Sequence, residues 1–181
     1  MNMLETGSGL LLGALLALPH VQDPTPARDK PAVVVGTFDS RGVLFAYVRS
    51  AAFQQYVTAQ KADIGRALER ARTAGDKSLV ADLERLGPAM QLRVHQQGFG
   101  TAPIDDVLAR IEGKLPAIAR QAGVDVIVSK WTLAYRDPSA KFVDVTELLA
   151  AQFDPSEATL ESMRSIVAQD PVPLDQIEEH K

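Results

Sequence analysis

Residues 43–94 read VLFAYVRSAAFQQYVTAQKADIGRALERARTAGDKSLVADLERLGPAMQLRV, and this stretch decides the fold. Apolar residues recur at three- and four-residue steps from Phe45 to Ala71 and again from Leu79 to Val94. The first pattern predicts a single helix of about 28 residues that begins at Val43. Between the two patterns lies Gly75, which suits a left-handed helix C-cap. The spacing therefore predicts an antiparallel α-helical hairpin, with a kink at Pro88 in the return helix.

Short extended segments flank the hairpin on both sides. AVVVGTF (Ala32–Phe38) is β-branched and predicts a buried strand, followed by a turn at Ser40–Gly42. VDVIVS (Val124–Ser129) predicts a second strand, and a further extended piece is expected at Phe142–Val145. The short stretch Trp131–Tyr135 is expected to form either a third strand or a turn. Helical patterns cover residues 104–123, the stretch that follows Thr146, and residues 156–167. We expect the Thr146 side chain to cap the second of these helices. The pattern predicts an α+β fold, in which a small β-body carries a protruding hairpin arm.

The predicted strands hold only about twenty residues, too few for a sizeable core of their own. We therefore expect several copies to pool their strands in an oligomer; the alternative is a compact monomer with the hairpin folded onto the sheet. The residues expected in the oligomer core are Val33, Val35, Val126, Val128, Leu133 and Tyr135.

The chain divides into four parts by composition. Residues 1–30 contain the apolar run Gly9–Leu18, which is typical of a secretory signal peptide, and a proline-containing leader with cleavage expected between Ala17 and Ala27. An uncleaved anchor and an ordinary buried segment are the alternatives. Residues 31–47 and 99–153 form the predicted β-body, residues 48–98 the arm and residues 154–181 an acidic C-terminal tail.

Charge and residue types exclude several classes of protein. The chain has no cysteine, which excludes disulfides, thiolate metal sites and thiol catalysis. Its three histidines are far apart, so we expect no metal site. The net charge of −4 gives no reason to expect a nucleic-acid partner. Under that total, residues 48–98 carry eight basic and five acidic residues, while residues 154–181 carry two basic and seven acidic ones.

Catalytic motifs are absent, and we expect neither enzymatic activity nor a cofactor. Gly36-Thr37-Phe38 lacks the lysine and spacing of a phosphate loop, and no Gly-x-Ser-x-Gly or His-Glu-x-x-His sequence occurs. Asp39, Ser40 and Arg41 follow a strand, where active sites of α/β enzymes lie, but a turn explains them better. A small enzyme in which these residues converge with His95 remains the catalytic alternative.

The segment VDVIVSKWTLAYRDPSAKFVDVTELLAAQF (124–153) resembles the Skp/OmpH family of periplasmic chaperones. The matching motifs are a strand at Asp125–Val128, an apolar-Ala-Tyr step at Leu133–Tyr135 and an Asp-apolar-Thr helix start at Asp144–Thr146. AVVVGTF matches the family's first strand and Ala74-Gly75-Asp76 its arm reversal, so the resemblance covers about Ala32–Phe153.

The resemblance implies a trimer whose β-body carries three helical arms around a cavity. It implies an ATP-independent holdase that binds unfolded outer-membrane or envelope proteins in the periplasm, with peripheral membrane contact left open. The alternative is a membrane-anchored trimeric adaptor of the cell envelope. The apolar residues expected to touch clients are Phe53, Tyr56, Val57, Ile64, Leu68, Leu83, Leu86, Met90 and Val94, and the positive field is expected from Arg66, Arg70, Arg72, Lys77, Arg85 and Arg93.

Overall fold

The computed structural model describes residues 33–177, so the predicted signal peptide and leader lie outside the described residues. No helix within 33–177 is long and apolar enough to cross a membrane. The fold mixes helices and strands. Its elements are β1 (Val35–Phe38), α1 (Ser40–Val48), α2 (Ala51–Ala74), α3 (Lys77–Gly98), α4 (Asp105–Leu108), a 3₁₀ helix (Ala109–Lys114), α5 (Leu115–Ala122), β2 (Val126–Ser129), a 3₁₀ turn (Lys130–Thr132), β3 (Phe142–Asp144), α6 (Thr146–Ala150), a 3₁₀ turn (Ala151–Phe153), α7 (Glu157–Val167) and a 3₁₀ turn (Leu174–Gln176).

The three strands form a parallel sheet in the order β2-β1-β3. Val35 pairs with Val126 and with Phe142, and Thr37 pairs with Val128. Because paired residues of parallel strands share a face, these side chains lie on one face of the sheet, and Phe38 lies on the other. Phe38 is buried in the core, whereas the face with Val35 is only partly buried. The two faces of the sheet therefore differ: one contacts the core, and the other is left partly open.

The core forms around α1, within a single chain. Val43, Leu44 and Tyr47 of α1 are buried together with Ile104, just before α4, and Leu149 of α6. Helices α3, α6 and α7 all pack against α1. Our reason for expecting an oligomer, that one chain lacks a sizeable core, is therefore wrong, because helices rather than strands supply most of the buried apolar side chains.

The predicted long helix is two helices. Ser40–Gly42, predicted as a turn, is the first turn of α1, since the Asp39 carboxylate accepts a hydrogen bond from the Arg41 backbone N–H at 2.9 Å and caps the helix. Helix α1 ends at Val48, and Ser50 begins α2 by accepting a hydrogen bond from the Phe53 N–H at 3.2 Å. A serine hydroxyl is a strong N-cap, so it favours a new helix here over continuation of the old one.

Helices α2 and α3 confirm the two helical patterns on either side of Gly75. Gly75 caps α2 with a φ of 72°, a left-handed conformation that glycine adopts without strain. The Asp76 carboxylate then caps α3 by accepting from the Leu79 N–H at 3.0 Å. Helix α3 continues through Pro88 to Gly98, and it packs against α2.

The structure decides between two alternatives at one place in the body and corrects a prediction at another. For Trp131–Tyr135 the turn is the correct alternative, since Lys130–Thr132 forms a 3₁₀ turn directly after β2 and no strand follows before β3. Thr146 does not cap α6: it is the first residue of that helix, and its Oγ1 accepts a hydrogen bond from the Asp39 N–H at 2.9 Å instead. The hydroxyl therefore joins α6 to the end of β1.

The described part of the segment predicted as an acidic tail packs on the body. Met163 of α7 is buried against α1, and Gly42 leaves so little room there that an added Cβ would lie 2.9 Å from Val167 Cγ2. Further on, the Val172 N–H donates to the Phe99 carbonyl at 2.8 Å. Residues 154–177 therefore contribute to the body despite their negative charge.

Candidate functional site

The break between α1 and α2 brings a cluster of aromatic side chains to the base of the two long helices. The rings of Tyr47 and Phe53 meet edge to face, with centroids 5.2 Å apart and an interplanar angle of 77°. Tyr56 follows at 6.4 Å from Phe53, and Phe153 of the body contacts Tyr47 at 5.2 Å. Edge-to-face and tilted arrangements are the favoured geometries of aromatic pairs. The cluster therefore fixes the start of α2 on the body.

An apolar cleft of about 640 Å³ opens beside this cluster, between α2, α3 and the segment that contains α4. We call it the basal cleft. Most of its exposed lining is apolar, which favours contact with an apolar ligand or chain segment. The basal cleft is lined by Leu44, Tyr47, Phe53, Tyr56, Val57, Gln60, Lys61, Ile64, Gly87, Pro88, Met90, Gln91, Arg93, Val94, Gln97, Asp106, Val107 and Arg110.

A polar network closes the end of the basal cleft next to the body. The Gln97 side-chain amide donates to the Pro103 carbonyl at 2.8 Å and to the Asp106 carboxylate at 2.9 Å. Arg93 forms an ion pair with Asp106 at 3.2 Å. Gln97 is buried, and its hydrogen bonds remove the cost of burying an amide. The network therefore fixes the base of α3 against α4.

Arg110 and Tyr47 add the polar groups nearest to the aromatic cluster. The Arg110 guanidinium carbon lies 4.7 Å from the ring centroid of Tyr56 and 5.0 Å from that of Tyr47, which is cation–π geometry. The Tyr47 hydroxyl is buried and has no hydrogen-bond partner among residues 33–177. Burial raises the pKa of Tyr47 above its ordinary value, so this hydroxyl remains protonated at neutral pH.

The structure brings some of the predicted client-binding residues together and leaves others apart. Those that line the basal cleft are Phe53, Tyr56, Val57, Ile64, Met90, Val94 and Arg93. Those that do not line it are Leu68, Leu83, Leu86, Arg66, Arg70, Arg72, Lys77 and Arg85. Several of the predicted cations pair with acidic neighbours along α2 and α3: Arg66 with Asp63, Arg72 with Glu69 and Glu84, and Arg85 with Asp82. These pairs reduce the positive field expected from the arm.

Sequence reasoning missed the body side of the basal cleft. Tyr47, Val107 and Arg110 lie outside the predicted arm, and their part in the cleft depends on how α1 and α4 pack beside α2 and α3. The signal that could have found Tyr47 is Ser50, a strong N-cap residue within the helical pattern. With a break placed there, the aromatic residues on its two sides would have been expected to meet.

A second cluster lies at the carboxyl ends of β1 and β2. Asp39 and Arg41 are 1% and 2% exposed, and they form an ion pair at 2.7 Å. Lys130, from the turn after β2, lies 2.8 Å from the same Asp39 oxygen. Burial by itself raises the pKa of Asp39, but the hydrogen bonds from Arg41 and Lys130 outweigh it, so the pKa lies below the ordinary value.

The contacts of this charged cluster connect the ends of strands β1 and β2 with the end of helix α7. The Arg41 guanidinium donates to the backbone carbonyls of Gln169 at 2.9 Å and Val167 at 3.4 Å, at the end of α7. It also lies 5.1 Å from the Trp131 ring centroid. Asp39 and Arg41 therefore have a structural role, since their contacts hold the end of α7 against the ends of the strands. His95, which the catalytic alternative combined with them, lies on α3, where its ring contacts Phe99 at 5.5 Å.

The residues predicted for an oligomer core do not share one environment. Val35, Val126 and Val128 lie on the partly open sheet face, and Val126 is 44% exposed. Val33, just before β1, is also exposed. Leu133 is partly buried, whereas Tyr135 is 75% exposed.

No group of three or more His, Cys, Asp or Glu side chains within residues 33–177 could hold a metal ion. No family model matches the chain, and it matches neither a curated protein nor a solved structure.

Proposed function

We propose that this protein is an ATP-independent holdase, which binds unfolded outer-membrane or envelope proteins through the basal cleft and the adjoining faces of α2 and α3. The observation that carries the proposal is the basal cleft itself, an open cavity of about 640 Å³ with a mostly apolar lining. It combines Phe53, Val57 and Met90 with residues of the body. An open apolar surface of this kind contacts chain segments without requiring one fixed sequence.

The physical task of such a holdase is to cover strands that have not yet paired. An unfolded β-barrel protein exposes apolar side chains and free strand edges, which pair with other chains and aggregate. Tyr, Phe, Met and Val side chains in the basal cleft offer apolar contact, and Met adapts to side chains of different shapes. The basal cleft therefore supplies contacts that compete with aggregation.

In this proposal α2 and α3 form an antiparallel arm, and several copies, in a trimer, join through their bodies. The partly open sheet face with Val35, Val126 and Val128 supports such an association, because parallel sheets are normally covered on both faces. The apolar run Gly9–Leu18 supports export to the periplasm. The similarity to Skp/OmpH chaperones remains a hypothesis. A solution mass of one chain in light scattering would reject the trimer.

The holdase activity can be tested by diluting an unfolded β-barrel membrane protein from urea into buffer without nucleotide. We expect an equal molar amount of the full chain to lower the light scattering of the aggregating client. Met90→Gln places an amide in the apolar lining of the basal cleft, and we expect it to weaken this protection several-fold. Unchanged scattering with the wild-type chain would contradict the proposal.

The matched control is Leu79→Gln, which makes the same kind of change on α3 outside the basal cleft. Leu79 is exposed and does not line the cleft, so this variant should protect the client as well as the wild type. Equal loss of protection in both variants would show that the cleft has no special part in client binding. Circular dichroism of both variants checks that the helices remain folded.

A further inference from the structure

The basal cleft is elongated along the two long helices. Its lining on α2 runs from Phe53 to Ile64, which is about 16 Å at about 1.5 Å per residue. On α3 the lining runs from Gly87 to Gln97, a similar length. The volume of about 640 Å³ lies within the range of about 300–1,000 Å³ that is usual for small-molecule sites. A cleft of this form fits a single extended apolar chain.

One end of the basal cleft contains a buried donor that has no partner. The Tyr47 hydroxyl makes no hydrogen bond to any residue within 33–177, although the Tyr47 side chain is only 3% exposed. Leaving a buried hydroxyl without a partner is unfavourable, and such groups are uncommon in folded proteins. Since Tyr47 lines the cleft and remains protonated, a ligand with an acceptor oxygen would satisfy it.

The same end contains a cation without a carboxylate partner. Arg110 contacts the Tyr47 and Tyr56 rings through its guanidinium face, and it forms no ion pair within residues 33–177. The nearby Asp106 is already engaged by Arg93 and Gln97. A guanidinium stacked on rings keeps N–H donors at its edge, and a carboxylate matches this edge with two parallel hydrogen bonds.

We infer that the basal cleft binds a long-chain fatty acid, with the carboxylate held by Arg110 and the Tyr47 hydroxyl. The apolar chain lies between α2 and α3, along Val57, Ile64 and Met90. The shared chemistry is a carboxylate at the end of an apolar chain, which the carboxyl terminus of a polypeptide also offers. The inference uses the same cleft as the proposed holdase activity but does not depend on it.

The test is isothermal titration of the full chain with hexadecanoate below its micelle concentration. We expect saturable binding at one ligand per chain. Hexadecan-1-ol should bind about tenfold more weakly, the loss expected when one charge-assisted hydrogen bond is removed. Hexadecyltrimethylammonium, which has the opposite charge, should bind more weakly still. Equal affinity for hexadecanoate and the alcohol would overturn the inference, because the head group would then have no site.

Three variants locate the head group. Arg110→Gln should weaken hexadecanoate binding about tenfold and leave binding of the alcohol unchanged. Tyr47→Phe, which keeps the ring and its packing, should weaken binding several-fold. Arg120→Gln is the matched control, since Arg120 is exposed and does not line the basal cleft, and it should bind as the wild type does. Wild-type affinity in both cleft variants would overturn the assignment.

A titration with peptides distinguishes the two sources of the carboxylate, a fatty acid and the carboxyl terminus of a polypeptide. An apolar peptide is titrated with a free carboxyl terminus and with an amidated one. Binding of the free peptide without binding of hexadecanoate would overturn the fatty-acid inference and would favour recognition of chain ends. Because client aggregation is not the readout, failure of this experiment and failure of the holdase proposal are independent results.

Discussion

The body and the two long helices use apolar side chains in opposite ways. Helix α1 buries seven of its nine residues, including a charged Arg41. Helix α2 buries only Ala71 among 24 residues, and α3 buries only Gln97 among 22. Apart from Ala71, the apolar side chains of α2 and α3 are half-buried or exposed, as in the basal cleft. The body therefore holds most of the fully buried apolar side chains, whereas the long helices leave most of theirs accessible to solvent.

The charged groups show the same contrast. In the body, Asp39 and Arg41 are buried and make several hydrogen bonds each. On α2 and α3, ion pairs such as Arg85–Asp82 are exposed and link neighbours along one helix. Exposed pairs contribute about 0–1 kcal/mol, whereas breaking a buried pair leaves an uncompensated charge. The contrast between the two regions leads to four predictions, given from the largest expected effect to the smallest.

The largest effect is expected from Asp39→Ala. It leaves the buried Arg41 without its carboxylate and removes the cap of α1, so we expect a loss of about 3–5 kcal/mol in the free energy of unfolding. Urea unfolding followed by circular dichroism measures this loss. Asp175→Ala, at an exposed position, should change the stability by less than about 0.5 kcal/mol. Equal stability of the two variants would show that the charged cluster does not stabilise the body.

The effect of Asp39 should also depend on pH. Its pKa is lower in the folded state, so the folded protein binds the proton less readily than the unfolded chain does. The stabilisation is therefore present above the unfolded pKa of about 3.9 and is lost as the pH falls through the folded pKa. The difference between the wild type and Asp39→Ala should be constant near neutral pH and should shrink below about pH 4. A difference that grew on acidification would contradict this assignment.

A pair of leucines compares the two regions directly. Leu149 is fully buried in the body, whereas Leu86 on α3 is 43% exposed. Leu149→Ala should cost about 2–5 kcal/mol, because it removes buried area and leaves a cavity. Leu86→Ala should cost less than about 1 kcal/mol, because much of its surface is already in water. Denaturant unfolding of both variants gives the comparison, and similar costs would mean that α3 is as tightly packed as the body.

The features that the sequence predicts most clearly are helices, strands and caps, because they depend on residues close together in the chain. The three-and-four spacing located α2 and α3, and β-branched runs located β1 and β2. Gly75 was found because a left-handed cap has a local signature. The break at Ser50 was missed because the apolar spacing continues across it. Periodicity alone therefore does not show where a helix ends when a polar cap interrupts it.

The parts that could not be predicted depend on contacts between distant residues. Arg41 is buried because the carbonyls of Val167 and Gln169, more than 120 positions away, accept its hydrogen bonds. Arg110 lines the basal cleft because the segment that contains α4 packs beside α3. The apolar residues of α2 that line the cleft were predicted as a client surface, but nothing in their spacing distinguishes them from Leu68, which does not line it.

The smallest effect is expected from two glycines that receive the same substitution. Gly75 has a φ of 72°, so Gly75→Ala should cost about 1–2 kcal/mol. Gly65 lies within α2 with no atom within 4 Å of an added Cβ, so Gly65→Ala should stabilise the helix by about 0.5–1 kcal/mol. Both changes add one methyl group, one within α2 and one at its C-cap, so each serves as the control for the other. Urea unfolding monitored by helical circular dichroism should therefore give shifts of opposite sign. Shifts of the same sign would mean that the end of α2 does not depend on the left-handed cap, and that α2 and α3 are held together by their packing alone.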